Sequence, residues 1–254
     1  MSQAPEVGWL FGLILLALVG IAVLAARFGG LGLERDLATA AGRALIQLGV
    51  VALIIAAVLS RAWASALFAL LMFAVATGTA ARRIGTGRSW SWVGVALASG
   101  VAPVLALVFG SGVVPLNGAG IVPIAGIIIG GTMTALALTG RRAFSALRQD
   151  GDLVEAGLAL GMQQRPAILE VIARHSPEAL TPVLDQTRTV GLVTLPGAFV
   201  GVLLGGGTAI EAGTAQVLVL LGLLASETVS VVVTQHLIAS NRIMPADIRV
   251  RMPP

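Results

Sequence analysis

Apolar residues fall into seven long blocks along the chain, separated by short polar or basic segments. The hydrocarbon core of a membrane is about 30 Å thick, so a helix that crosses it needs about 20 mostly apolar residues. Residues 7–26, 62–81, 90–109 and 121–138 meet that requirement. Residues 44–60 are slightly short but continue an apolar-periodic segment that begins at Leu37. Residues 190–204 are also short, and an amphipathic stretch before them can lengthen the helix. Residues 215–238 form the last block and contain one internal acid, Glu227. The pattern predicts an all-α polytopic membrane protein with about seven transmembrane helices. The leading MSQAPE has no basic residue, and the apolar run after it is longer than a signal peptide needs, so the first block reads as a retained helix.

One substantial polar segment, 141–188, lies between the fifth and sixth blocks. Leu153, Ala156 and Leu160, then Ile168, Val171 and Ile172, recur at helical spacing. Gly151, Gly161 and Pro166 punctuate the segment. It reads as short amphipathic helices lying at the membrane surface. The length suits one permease-sized domain over 1–254, with no internal repeat.

Composition agrees with a membrane protein. The 254 residues are 57% hydrophobic and only 11% charged, against about 25% charged in a soluble domain. Mean hydropathy is +0.96. Cysteine is absent, which excludes disulfides and thiolate metal sites. All sixteen basic residues are arginine. With seven spans, the side holding the N-terminus and the 60–61, 110–120 and 205–214 connections has one arginine, Arg61. The other fifteen fall on the opposite side. Cytoplasmic loops carry the excess of basic residues, so the N-terminus is expected outside and the C-terminus in the cytoplasm of a cell (inner) membrane protein. The basic residues are spread between apolar runs, so the net charge of +4 reads as membrane topology, with no nucleic acid as partner and the lipid bilayer as solvent.

Few chemical motifs are present. Without lysine the chain has no Walker A loop, whose Lys reaches the phosphates. His175 and His236 are far apart and lie in no HExxH context, and no serine stands in GxSxG. The chain therefore reads as a transport subunit without an ATPase motif, not an enzyme.

Several residues are candidates for a substrate path. Arg43 and Gln47 are one turn apart near one end of the second block. A charged side chain there either snorkels to the headgroups or faces the bundle interior, and Gln47 can bond across helices. Gly126 and Gly130, with Gly131 beside them, form a GxxxG pattern that permits close helix approach. Thr132 and Met133 follow, the latter either packing or offering a soft metal contact. Pro196 and Gly197 interrupt the sixth block, where a broken helix can free carbonyls to line a cavity. Glu227 sits at membrane depth, with Ser230 and Thr234 continuing its face. Asp185 and Arg188, at i and i+3, can pair.

Glu155-Ala156-Gly157, with Gly161 six residues after the Glu and Ile172 beyond, partly matches the coupling loop of ABC importer permeases. Gly157 replaces an alanine of that pattern, and its closing Leu-Pro is absent. Longer stretches are more specific: GRALIQL over 42–48, VPIAG over 122–126, ALTP over 179–182, Asp185, and RTVGLVTLPG over 188–197. Taken in this order they resemble the FetB-type (UPF-type) family of ABC transporter permeases, which includes iron-export permeases and plant aluminium-tolerance membrane subunits. That resemblance implies a permease acting as a homodimer with a separate cytoplasmic ATP-binding subunit, which binds the ATP-Mg; no cofactor is expected in this chain. It implies export, with iron or another metal as cargo in bacterial members and a nucleotide sugar in a plant one. It places Glu155, Gly161, Arg165, Asp185 and Arg188 at the ATPase coupling surface. Two readings from other classes stand beside it: an ATP-independent transporter or channel using Glu227, and a non-transporting membrane scaffold.

Overall fold

The computed structural model describes residues 8–251. They divide into two compact units, with the boundary after Ser60.

The first unit contains two helices, α1 (Trp9–Phe28) and α2 (Glu34–Leu59), which pack on each other. Each is long and apolar enough to cross a membrane. Most described side chains of the pair are exposed, among them Leu16, Ile21, Leu48 and Leu53, and Ala26 is the one buried residue described on them. In a bilayer such a surface needs no protein cover, because helices satisfy their own backbone and lipid solvates the side chains. Gly30 and Gly32, both at positive φ, turn the chain between the helices.

The second unit is built on α3 (Ala62–Arg83), α4 (Trp90–Gly110), α5 (Gly118–Gln149) and α10 (Ala209–Ala239). Helix α5 packs against α3 and α10, and α4 packs against α10. Phe144, Leu97, Ile128 and Leu136 form the centre of the core. Two helix starts are fixed locally. Asn117 Oδ1 accepts from Gly120 N–H at the head of α5. Thr208 and Glu211 form a reciprocal capping box at the head of α10.

The arginines gather at one end of this unit. Ile84, just past Arg82 and Arg83, packs on Gly140 of α5. Arg242, just past α10, lies 4.7 Å over Trp92 at the start of α4. Arg148 at the end of α5 pairs at 2.9 Å with Asp247 of α11 (Ala246–Arg251). Arg61 stands at the other end of α3, which is about 33 Å long at 1.5 Å per residue.

The polar segment is helical throughout much of its length, but not as a free surface layer. Residues 141–149 simply extend α5. Helices α6 (Gly151–Ala159) and α7 (Gln164–Ala173) and a 3-10 turn (Ser176–Leu180) follow. Helix α7 buries Ile168, Val171 and Ile172 against α5 and α10. Helix α6 buries Val154 and Gly157, whereas Leu153 and Leu160 of the predicted stripe are exposed.

Six of the seven predicted spans are continuous helices among the described residues. The exception is 190–204. Helix α8 (Thr181–Thr189) stops before it, residues 190–196 are not helical, and only α9 (Gly197–Leu204) resumes. Gly191 takes φ +80, and its N–H donates to Thr194 O at 2.9 Å. Thr189 O accepts from Val193 N–H at 2.9 Å, closing a tight loop. Pro196, which lacks an N–H, then heads α9 as its N-cap. The segment still travels far along α10: Ala179 and Leu180 pack with Val231, and Gly207 closes on Glu211. Those α10 residues are about 30 Å apart at 1.5 Å per residue, the thickness of a hydrocarbon core. The predicted single helix is thus two short helices joined by an irregular link.

Candidate functional site: a polar line between helices and a broken crossing

Helices are held together inside the second unit by small residues and hydroxyls. On α5, Thr132 Oγ1 donates to Ile128 O at 2.7 Å. Its single proton is thereby used, so in the 2.6 Å contact with Ser226 Oγ it is the serine that donates. One turn along α10 from Ser226 stands Ser230, fully buried against Gly100 of α4. Gly100 lies so close to α10 that an added Cβ would overlap the Ser226 carbonyl oxygen. Thr234 Oγ1 donates to Ser230 O at 2.6 Å. Glu227 is buried next to Ser226 and lies against Gly131, whose added Cβ would come 2.6 Å from Glu227 Oε1. The result is a line of buried polar side chains at membrane depth, running from Thr132 across to α10 and along it through Ser226, Glu227, Ser230 and Thr234. Buried polar groups in an apolar medium are costly unless partnered; Thr132, Ser226 and Thr234 are partnered, and the line stands as the candidate site.

Of the predicted path residues, Thr132 and Glu227 meet here. Met133 is half-buried and packs on the apolar core. Pro196 belongs to the broken crossing. That crossing is tied to α10 where Phe199 N–H donates to Oε1 of the buried Gln216 at 3.3 Å. A cleft of about 940 Å³ runs between α5, α9 and α10, lined by Pro123, Ile127, Ala198, Val202, Thr214 and Leu218 among others. Its walls are largely apolar, and Glu211 stands at its rim. Arg43 and Gln47 belong to the first unit, where both are exposed. Ser226 and Gln216 were not singled out from the sequence. The signal for Ser226 was local, a hydroxyl one turn before Ser230 in an apolar run, whereas its contact with Thr132 comes only from the pairing of α5 with α10.

The predicted coupling residues lie along 155–188. Glu155 lines a cavity of about 210 Å³ with Arg148, Asp152, Gln164, Asp247 and Ile248. Gly161 has a plain structural task. Its φ of +86 closes α6, with Gly161 N–H donating to Leu158 O and Met162 N–H to Gly157 O. Arg165 is exposed at the start of α7. Asp185 and Arg188 are both exposed on α8, and no ion pair forms between them within 4.0 Å. Two solvated charges gain little from pairing at a surface. Arg142 instead pairs with Glu178 at 2.9 Å, pinning the 3-10 turn to α5.

Relatives match this chain over nearly its whole length. It is 31% identical over 236 residues to "UPF0014 membrane protein STAR2" of Oryza sativa subsp. japonica, covering 91% of this chain and 82% of the relative. It is 30% identical over 231 residues to "Probable iron export permease protein FetB" of Escherichia coli (strain K12), covering 87% of each. "Protein ALUMINUM SENSITIVE 3" of Arabidopsis thaliana is 29% identical over 227 residues, covering 87% of this chain and 82% of the relative. No solved structure matches. Relatives named as membrane proteins and permeases accord with the apolar helices and the buried polar line in identifying a multi-pass membrane transport subunit. The family model described as "Uncharacterised protein family (UPF0014)" matches residues 9–243, and the chain belongs to that family.

Proposed function

We propose that this chain is the membrane-spanning subunit of an ABC exporter, paired as a homodimer and driven by a separate cytoplasmic ATP-binding subunit that holds the ATP-Mg. The observation that carries this reading is the double-sided α6. One side, Val154 and Gly157, is seated on the unit. The other side presents Leu153 at 54% exposure, and the turn that closes the helix presents Leu160, its C-cap, at 86%, with Met162 at 40% just beyond. An apolar edge on a short helix suits insertion into a cleft of a soluble partner. Helix α6 packs on α7, which packs on α5 and α10, so a push on that edge reaches the helices bearing Thr132 and Glu227. The arginine-rich end is then cytoplasmic, as the excess of basic residues on cytoplasmic loops requires.

In this mechanism ATP-driven closure of the partner displaces α6 and α7. Helices α5 and α10 shift against the short helices of the broken crossing, and the cleft between α5, α9 and α10 changes its side of access. Irregular backbone at membrane depth is tolerated where it lines a cavity, and in this reading 190–196, which leads directly into the cleft-lining Gly197 and Ala198, joins the path as the helices move. The relative named as an iron export permease supports a metal cation as cargo. The test is ATP-dependent accumulation of iron(II) in inside-out vesicles containing the chain and its partner. Uptake is expected to need ATP and to fall with Leu160→Asp. Uptake that continues without ATP, but is lost in Glu227→Gln, would favour an ATP-independent transporter instead.

A further inference from the structure

Two neighbouring polar groups on buried residues of α10 make no hydrogen bond to any described residue. Ser230 Oγ is fully buried and makes no hydrogen bond. The Glu227 carboxylate, on a residue only 6% exposed, accepts no hydrogen bond from any described residue. They stand three residues apart on α10, so they share one side of the helix. With no side chain at Gly131, α5 comes so close that an added Cβ would lie 2.6 Å from Glu227 Oε1, so the carboxylate is packed against the α5 backbone.

Among the described residues, no cationic group on the elements packed against α10 is placed to compensate this acid. Helices α4 and α9 have no charged residue. On α5 the first charge beyond Gly131 is Arg141, about 15 Å along the helix at 1.5 Å per residue. Helix α7 contributes Arg165 and Glu170, and α8 contributes Asp185 and Arg188, all exposed. In the 3-10 turn Glu178 is taken by Arg142. On α10 itself Glu211 lies about 24 Å away and the exposed His236 about 13 Å, at 1.5 Å per residue. An unpaired carboxylate at membrane depth is costly, and none of the side chains packed around α10 in this unit neutralises it.

We infer that Glu227 and Ser230 form a binding site for one small monovalent cation, a proton or Na⁺. One positive charge cancels the single carboxylate, whereas a divalent ion would leave a net charge in the same apolar surroundings. The nearby donors are hard oxygens: the carboxylate, the Ser230 hydroxyl and, one turn back, the Ser226–Thr132 hydroxyl pair. Such donors suit Na⁺ or a proton rather than a soft metal. Among the described residues no group of three or more His, Cys, Asp or Glu could hold a metal ion. This occupant is distinct from the cargo, and its binding requires neither the partner subunit nor transport.

The full-length chain, purified in detergent, provides the test. Its thermal midpoint is followed at increasing NaCl against choline chloride, and the carboxylic-acid C=O stretch is followed by infrared spectroscopy over pH. If Na⁺ is the occupant, NaCl raises the midpoint, Glu227→Gln removes the dependence, and Ser230→Ala weakens apparent affinity at least tenfold. If a proton is the occupant, NaCl has no such effect. A protonated-carboxyl band is then lost at high pH, absent in Glu227→Gln and shifted in Ser230→Ala. Either pattern supports the site. It is overturned if both variants match the parent in both measurements, or if only a divalent ion such as Mn²⁺ gives a saturable response that Glu227→Gln abolishes. Because neither readout involves ATP or transport, a negative result here leaves the exporter reading to its own test.

Discussion

Three neighbouring glycines on α5 should respond to alanine in opposite directions. Replacing a glycine inside a helix by alanine gains about 0.5–1 kcal/mol by reducing unfolded-chain freedom. Extra atoms forced into a packed interior cost about 1–3 kcal/mol. At Gly130 an added Cβ meets nothing within 4 Å, so only the gain applies. At Gly131 the Cβ would overlap Leu223 Cδ2 and come 2.6 Å from Glu227 Oε1, so the cost dominates. At Gly126 the obstacle is Met72 Cε at 2.8 Å, the free end of a flexible side chain, which can swing aside. The expected order of stability is Gly130→Ala above the parent, Gly126→Ala near it, and Gly131→Ala below by a net of about 0.5–2 kcal/mol. Gly100→Ala on α4 should be worse still, because it strikes the Ser226 backbone carbonyl, which cannot rotate away. Reversible unfolding of the purified full-length protein in mixed detergent micelles measures these differences. A loss at Gly130 as large as that at Gly131 would refute the reasoning and place the GxxxG face in a contact between copies.

Two further perturbations probe single contacts. Thr132→Val keeps the shape but strips the acceptor from the 2.6 Å bond with Ser226, leaving that hydroxyl buried and unpartnered; the expected loss is about 1–3 kcal/mol in the same unfolding assay. Asp247 is held below the usual carboxylate range, chiefly by the hydrogen bond from Arg148 Nε at 2.9 Å. A depressed folded-state pKa contributes stability above the unfolded value, and that contribution is lost as pH falls through the folded one. Protease release of the C-terminal segment should therefore accelerate on acidification through and below the ordinary carboxylate range, and Asp247→Asn should remove that component.

Hydropathy made the continuous spans legible because lipid imposes a length and an apolar composition on every full crossing. It misread 190–204 for the same reason. Leu192, Val193 and Leu195 are as apolar as any helix interior, although exposed on the irregular link. Gly191 and Pro196 did signal the break, but composition cannot distinguish a kink from seven non-helical residues. The 141–188 segment was legible as short helices and not as a docked layer. In α7 the 168, 171 and 172 spacing does mark the buried face. Around α6 apolar residues stand on both sides, so periodicity alone points to Leu153 and the C-cap Leu160, which the unit leaves uncovered. At the polar line, Glu227 was evident as an acid in an apolar run. Its meeting with Thr132 through Ser226 depends on the pairing of α5 with α10, which no local pattern encodes.

The central claim is that a separate ATP-binding subunit drives this chain through the exposed edge of α6. Its most direct test is to tag the C-terminus, solubilise native membranes in mild detergent and identify what co-purifies. Scrambling the whole 155–172 stretch would remove buried Ile168 and Ile172, so Leu153→Asp and Leu160→Asp, which change exposed positions, are the appropriate variants. A stoichiometric ATP-binding subunit is expected with the parent chain, lost with the double variant while the permease stays monodisperse. An intact, monodisperse parent chain that captures no ATP-binding subunit would contradict it.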